Sequence, residues 1–180
     1  MFKAGVECPS HPICKYIDNV RVSRAHFDLS EGPVVARAIA ERHYNNETYV
    51  LGIDSHCHFV RGWDNIVIDM FKRIGNDLAL ISSCPPSYGP DLQGGHGAED
   101  YAPEVYPESQ TAICHTRRVN IHTTVTFKHD INKLDRPKNG PVRVAFFAAG
   151  FSFSRGHRIL RVPYDYHTPY VFDGEETAMG

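Results

Sequence analysis

The sequence has no apolar run approaching the roughly 20 residues needed to cross a bilayer as a helix. Its start, Met1-Phe2-Lys3-Ala4-Gly5, lacks the charged and then apolar pattern of a secretory signal. Charge of one sign is also lacking. Nineteen Lys and Arg stand against 21 Asp and Glu, a formal net charge of −2. That excludes broad electrostatic capture of nucleic acid or of an anionic membrane. Cysteine is sparse: five residues, at 8, 14, 57, 84 and 114, form no tight pairing pattern. An odd, scattered set favours a reducing compartment over a disulfide framework. There is no internal repeat and no low-complexity tract. What remains is an ordinary globular composition, 42% hydrophobic and 22% charged over 180 residues. It suits one domain with a real core. The expected location is cytoplasmic. Asn46-Glu47-Thr48 fits a glycosylation sequon and matters only on the secretory route.

Residues 20–27 (VRVSRAHF) alternate apolar and polar and read as a strand. Ser30-Glu31-Gly32-Pro33 forms a turn with proline at a helix start, and that helix is expected to reach about Tyr44. Residues 48–54 (TYVLGID) form a nearly continuous apolar strand, as when both faces are covered. Trp63, Ile66, Val67, Met70, Phe71 and Ile74 follow a helical i, i+3, i+4, i+7 stripe that Gly75 stops. Residues 78–83 (LALISS) read as a buried strand, so the order strand, helix, strand, helix, strand predicts a parallel α/β unit. Residues 85–118 read as a long loop, rich in Pro, Gly, Asp and Glu over 85–110. Residues 119–128 and 143–153 read as two further strands, the second with a bend at Gly150.

In an α/β sheet, ligands bind beyond the carboxyl ends of the strands. Asp54 ends the strand 48–54, and alternation puts Asp54 and His56 on one side with Ser55 between them. A carboxylate and an imidazole can share one divalent metal, and Mn²⁺ accepts both donor types. Such a metal neutralises charge on a diphosphate leaving group. The plainer alternative has Asp54 capping the turn into the next helix, with His56 packed beside it. Trp63 begins the apolar stripe and reads as core, and Cys57 and Cys84 read as small buried hydrophobes. His58 reads as packing or surface rather than as a second ligand. Cys8, His11 and Cys14 lack the fourth ligand of a zinc site.

The surroundings of that triplet carry a resemblance. Gly32-Pro33-Val34-Val35-Ala36-Arg37 and Ile53-Asp54-Ser55-His56-Cys57-His58-Phe59-Val60-Arg61-Gly62-Trp63-Asp64 resemble the GP-x-x-AR and IDSH-x-x-F-V-x-x-WD blocks of GlcNAc-transferases that modify hydroxyproline or threonine on proteins. Pro85-Pro86-Ser87-Tyr88, Ala148–Phe153 (AAGFSF), Val162-Pro163-Tyr164-Asp165 and Phe172–Glu176 (FDGEE) are similar to later blocks of the same family, in the same order. A weaker similarity extends to polypeptide GalNAc-transferases. The resemblance implies an α/β, GT-A-like mixed sheet flanked by helices, present here as a single partial domain over residues 1–180. It implies a UDP-GlcNAc donor, Mn²⁺ or Mg²⁺, retention of anomeric configuration, and a protein acceptor bearing hydroxyproline, Thr or Ser. Asp54 and His56 are implied as metal and diphosphate contacts, and Arg37 as facing the nucleotide. Glu175 and Glu176 are implied to lie near the sugar and acceptor, where carboxylates orient a hydroxyl or stabilise positive charge at the anomeric carbon. Gly150 suits a place where backbone must approach a ligand closely. Its bland alternative is a strand bend, as that of Arg37 is a solvated helix charge and that of the acid pair a solvated turn.

Against the family pattern, the opening strand and the segment after the GEE block, which supplies a further histidine, are not in this chain. The expectation is therefore an incomplete domain, with two alternatives. One is a truncated, non-catalytic transferase-like protein. The other is a metal-dependent hydrolase using Asp54-Ser55-His56-Cys57-His58, although a barrel of that type needs about 250 residues. Relatives occupy both cytoplasm and Golgi, so the Golgi lumen stands as the alternative location if an anchor precedes the chain.

Overall fold

The computed structural model describes residues 12–55, 57, 59, 61–83, 115–119, 125–128, 143 and 147–172. After short 3-10 turns at Pro12–Asn19 and Phe27–Leu29, the elements are α1 (Pro33–Glu41), β1 (Tyr49–Ile53), α2 (Trp63–Ile74), β2 (Leu80–Ser82), β3 (His115–Val119), β4 (Val125–Lys128), β5 (Phe151–Arg155) and α3 (Arg158–Arg161). β1, β5 and β2 form a three-stranded sheet in that order, and β3 pairs with β4 in a separate two-stranded sheet. The class is mixed α/β, as expected.

The sequence of β5 shows how the main sheet is covered. It reads Phe-Ser-Phe-Ser-Arg, and side chains alternate between faces of a strand. Phe151 and Phe153 turn toward α2, where Val67 and Phe71 are buried against Phe153 with Tyr49, Leu51, Trp63 and Ile81 around them. The rings of Tyr49, Phe71 and Phe153 meet at centroid distances of 5.2–5.8 Å, in stacked and edge-on arrangements. The opposite face receives α1: Val34 and Ala38 pack with Phe147, Ala149 and Tyr164, with Leu80 from β2 against them. One helix thus covers each face.

Local chemistry sets the helix ends. Pro33 occupies the first turn of α1, where its missing N–H costs nothing. Gly32 before it has φ +95°, and a Cβ there would lie 3.4 Å from the Tyr170 backbone. The Tyr170 N–H donates to the Glu31 carbonyl, seating the 163–172 segment on the start of α1. Gly75 closes α2 in the left-handed region, and Lys72 and Arg73 in its last turn complement the helix dipole.

Several expectations are corrected. β1 and β2 run in one direction, but β5 lies between them and pairs antiparallel with both, so the parallel pairing is absent. Residues 20–27 form no strand. They are exposed almost throughout and have no strand partner, and alternation alone cannot hold extended backbone without a ladder. α1 stops at Glu41, and residues 42–44 continue as i→i−3 turns. The expected strand 119–128 is part of the β3–β4 pair, which ends at Val119 and resumes at Val125. Of the expected strand 143–153, Phe151–Phe153 belong to β5, which runs on to Arg155; the Phe151 N–H closes a turn onto the Ala148 carbonyl just before it, and 144–146 lie outside the described residues. In the α2 stripe, Val67 and Phe71 are buried, whereas Ile66 is 54% exposed and Met70 lies at the surface. Among the described residues, the three strands reach only the Val67–Phe71 side of that stripe.

Candidate functional site

Because β1 and β2 share a direction, their carboxyl ends meet at one edge of the sheet, where β5 begins. Asp54 follows β1 directly at that edge. Its N–H donates to the Gly150 carbonyl at 3.1 Å, extending the β1–β5 ladder by one bond beyond the strand. Its own carbonyl accepts from the Cys57 N–H at 3.3 Å, so the chain turns here rather than continuing extended. β1 ends at Ile53, and the side taken by His56 relative to Asp54 lies outside the described residues. Asp54 does not cap α2, whose amino-terminal cap is Gly62.

Among the described residues, Arg37 and Gly150 approach the Asp54 carboxylate. On one side is Arg37, whose Nη2 lies 3.5 Å from Oδ1. On the other is Gly150: a Cβ at that position would stand 2.6 Å from Oδ2. The glycine thus permits a close approach, as expected, and what approaches it is the Asp54 side chain. The Ala149–Gly150 turn is held from the other strand by Ser82. Its hydroxyl accepts from the Ala148 N–H and donates to the Ala148 carbonyl. Cys57 is part-buried, its Sγ 3.7 Å from the Gly150 carbonyl.

Arg37 is no solvated helix charge. Its side chain is mostly buried, and its guanidinium lies 5.8 Å from the centroid of the Tyr164 ring. One turn further along α1, Glu41 pairs with Arg158 and accepts the Tyr164 N–H at 3.0 Å. Beside this cluster, on the α1 face of the sheet, is a cavity of about 300 Å³ lined by Arg37, Glu41, Val50, Gly52, Ser152 and Tyr164, among others. Asp54 does not line it, so Arg37 is the residue shared between cavity and strand edge.

The structure brings together Arg37, Asp54 and Gly150 of the expected site residues. His56, Glu175 and Glu176 lie outside the described residues, as do His58, Cys84 and Pro85–Tyr88. For a divalent metal, Asp54 offers a carboxylate that is 42% exposed. That suits one hard oxygen donor. No group of three His, Cys, Asp or Glu side chains comes together among the described residues. Glu41 and Arg158 were not legible as site-related. The only sequence signal was the four-residue spacing of Arg37 and Glu41, which puts them on one helix face.

The fold is that of a mixed α/β protein in which an acid and an arginine meet where β1 ends. The family is specific: the chain belongs to the glycosyltransferase (GlcNAc) family, whose model matches residues 3–179. Its function is therefore glycosyl transfer, with a sugar donor and an acceptor. No curated protein and no solved structure matches it. No helix among the described residues is long and apolar enough to cross a membrane.

Proposed function

We propose that this chain transfers GlcNAc from UDP-GlcNAc to a hydroxyl of a protein acceptor, with retention and with a divalent cation. The observation that supports it most is the convergence of Arg37, Asp54 and Gly150 at the strand edge, from three separated blocks of the sequence. Family membership adds the sugar chemistry. In this reading the bond from the anomeric carbon to UDP breaks and one to the acceptor oxygen forms on the same face. Asp54 and His56 hold Mn²⁺ or Mg²⁺, which when bound neutralises charge on the departing diphosphate. Arg37 adds a fixed positive charge on the nucleotide side, already desolvated by Tyr164. Glu175 and Glu176 serve the sugar and acceptor side. Hydroxyproline, Thr or Ser as the acceptor residue rests on the block resemblance alone.

Calorimetric titration with UDP-GlcNAc, with and without Mn²⁺, tests the reading. Binding that requires Mn²⁺ and disappears in Asp54→Ala supports it. Equal affinity in wild type and Asp54→Ala removes Asp54 from the donor site.

A further inference from the structure

Four charged side chains lie along one line of the molecule, and only two of them touch the strand edge. Arg37 and Glu41, one turn apart on α1, point the same way. Arg37 reaches Asp54. Glu41, the more buried of the two at 12% exposure, turns away from the edge toward the segment after β5. Its two oxygens have different partners there: Oε1 takes the Arg158 guanidinium from α3, and Oε2 takes the Tyr164 backbone N–H. Both contacts act on the same stretch of chain, and that stretch delivers the Tyr164 ring. The ring is buried, with the Arg37 and Arg158 guanidinium groups 5.8 and 5.7 Å from its centroid.

The energetics give Glu41 a role that neither arginine can replace. Arg158 is largely withdrawn from water, and a half-buried guanidinium without a carboxylate is costly. If Glu41 lost its charge, Arg158 would lose the carboxylate it pairs with and keep its bond to the Val162 carbonyl, and the Tyr164 segment would lose one of the anchors that, with the core packing of its ring, set its position. The ring is one of the groups against which the Arg37 guanidinium rests. A displacement at Glu41 is therefore passed to Arg37 through packed groups rather than through solvent.

We infer that Glu41 is a positioning residue for the donor site: by anchoring Arg158 and the Tyr164 backbone, it fixes the ring against which Arg37 rests and so holds Arg37 beside Asp54. This rests on the proposed donor site for its functional consequence, though not for its structural one.

The test uses the full chain and two readouts. The first needs no ligand: the side-chain Nε–H resonance of Arg37 by ¹⁵N NMR, assigned with Arg37→Lys. It is expected to shift in Asp54→Asn and to shift or broaden likewise in Glu41→Gln, a variant that keeps the volume and an oxygen acceptor for Tyr164. The second is UDP-GlcNAc affinity with Mn²⁺, measured well below the melting temperature. Glu41→Gln is expected to lose about tenfold, the size of a coupling carried through packed side chains. Glu41→Gln combined with Arg158→Met removes the anchor altogether and is expected to lose at least as much, and wild-type affinity in that double variant overturns the inference. An Arg37 resonance unmoved in folded Glu41→Gln overturns the inference, as does a loss of melting temperature with unchanged donor affinity. If wild type binds no donor while the resonance still moves, the positioning stands and the donor reading fails.

Discussion

The Gly150 backbone and the Asp54 carboxylate occupy space that no side chain at position 150 could share: a Cβ there would sit 2.6 Å from Oδ2. The Asp54 backbone is held, its N–H tied to the Gly150 carbonyl at 3.1 Å, so relief has to come from rotation of the carboxylate. Gly150→Ala is therefore expected to turn the carboxylate out of its present position. Transfer activity should fall about a hundredfold, the usual cost of misplacing a reacting or binding group by about 1 Å. The check is activity set beside a thermal melt, which should show the fold retained. Unchanged activity would mean that the position of the Asp54 carboxylate is irrelevant.

Asp54→Asn keeps the shape and removes the charge. Asp54 lies at the surface end of its strand, and a partly exposed ion pair of this kind contributes about 0–1 kcal/mol. The melting temperature should barely change while Mn²⁺-dependent donor binding is lost. Parallel melts and titrations decide this, and a variant that still binds donor with Mn²⁺ speaks against Asp54 as the metal contact.

Phe71 and Ile66 separate the two halves of the α2 stripe. Phe71 is buried against Tyr49 and Phe153, so Phe71→Ala should cost about 3–5 kcal/mol in urea unfolding. Ile66, on the exposed half, should change stability by no more than about 0.5 kcal/mol when replaced by Ala. Equal losses at both positions would place α2 differently on the sheet.

Glu47 sits in the turn between α1 and β1, fully exposed. Its carboxylate accepts the Asn45 N–H at 2.6 Å, and that bond, then one from its own N–H, holds its pKa below 4.5. A carboxylate whose folded pKa is depressed adds stability above its unfolded value and loses it as pH falls through the folded value. Side-chain NMR titration should show Glu47 protonating below the ordinary glutamate range. Glu47→Gln should flatten the acid limb of the stability profile locally. A midpoint at or above 4.5 would remove the turn bond as a determinant.

Much of this was legible in the sequence, and the reasons differ by residue. Gly32-Pro33 announced α1, and Gly75 announced the end of α2, because φ > 0 and a missing N–H are properties of single residues. The period of Trp63 to Ile74 identified a helix, because periodicity is local. The blocks around Arg37, Asp54 and Gly150 pointed to one site in one family, and the family match agrees at the level of glycosyl transfer. The alternation in residues 20–27 misled, because a strand exists only when a second strand pairs with it.

By itself, the sequence determined the starts of α1 and α2, the apolar character of β1 and β2, and which residues make up the acid, arginine and glycine blocks, since each depends on near neighbours along the chain. Only the tertiary structure decided that β5 enters between β1 and β2. It also decided that Arg37 meets Asp54 over Gly150, and that Glu41 grips Arg158 and Tyr164, more than a hundred residues away. Those contacts join chain segments whose approach is set by packing two helices on opposite faces of one sheet, and no local pattern encodes that distance.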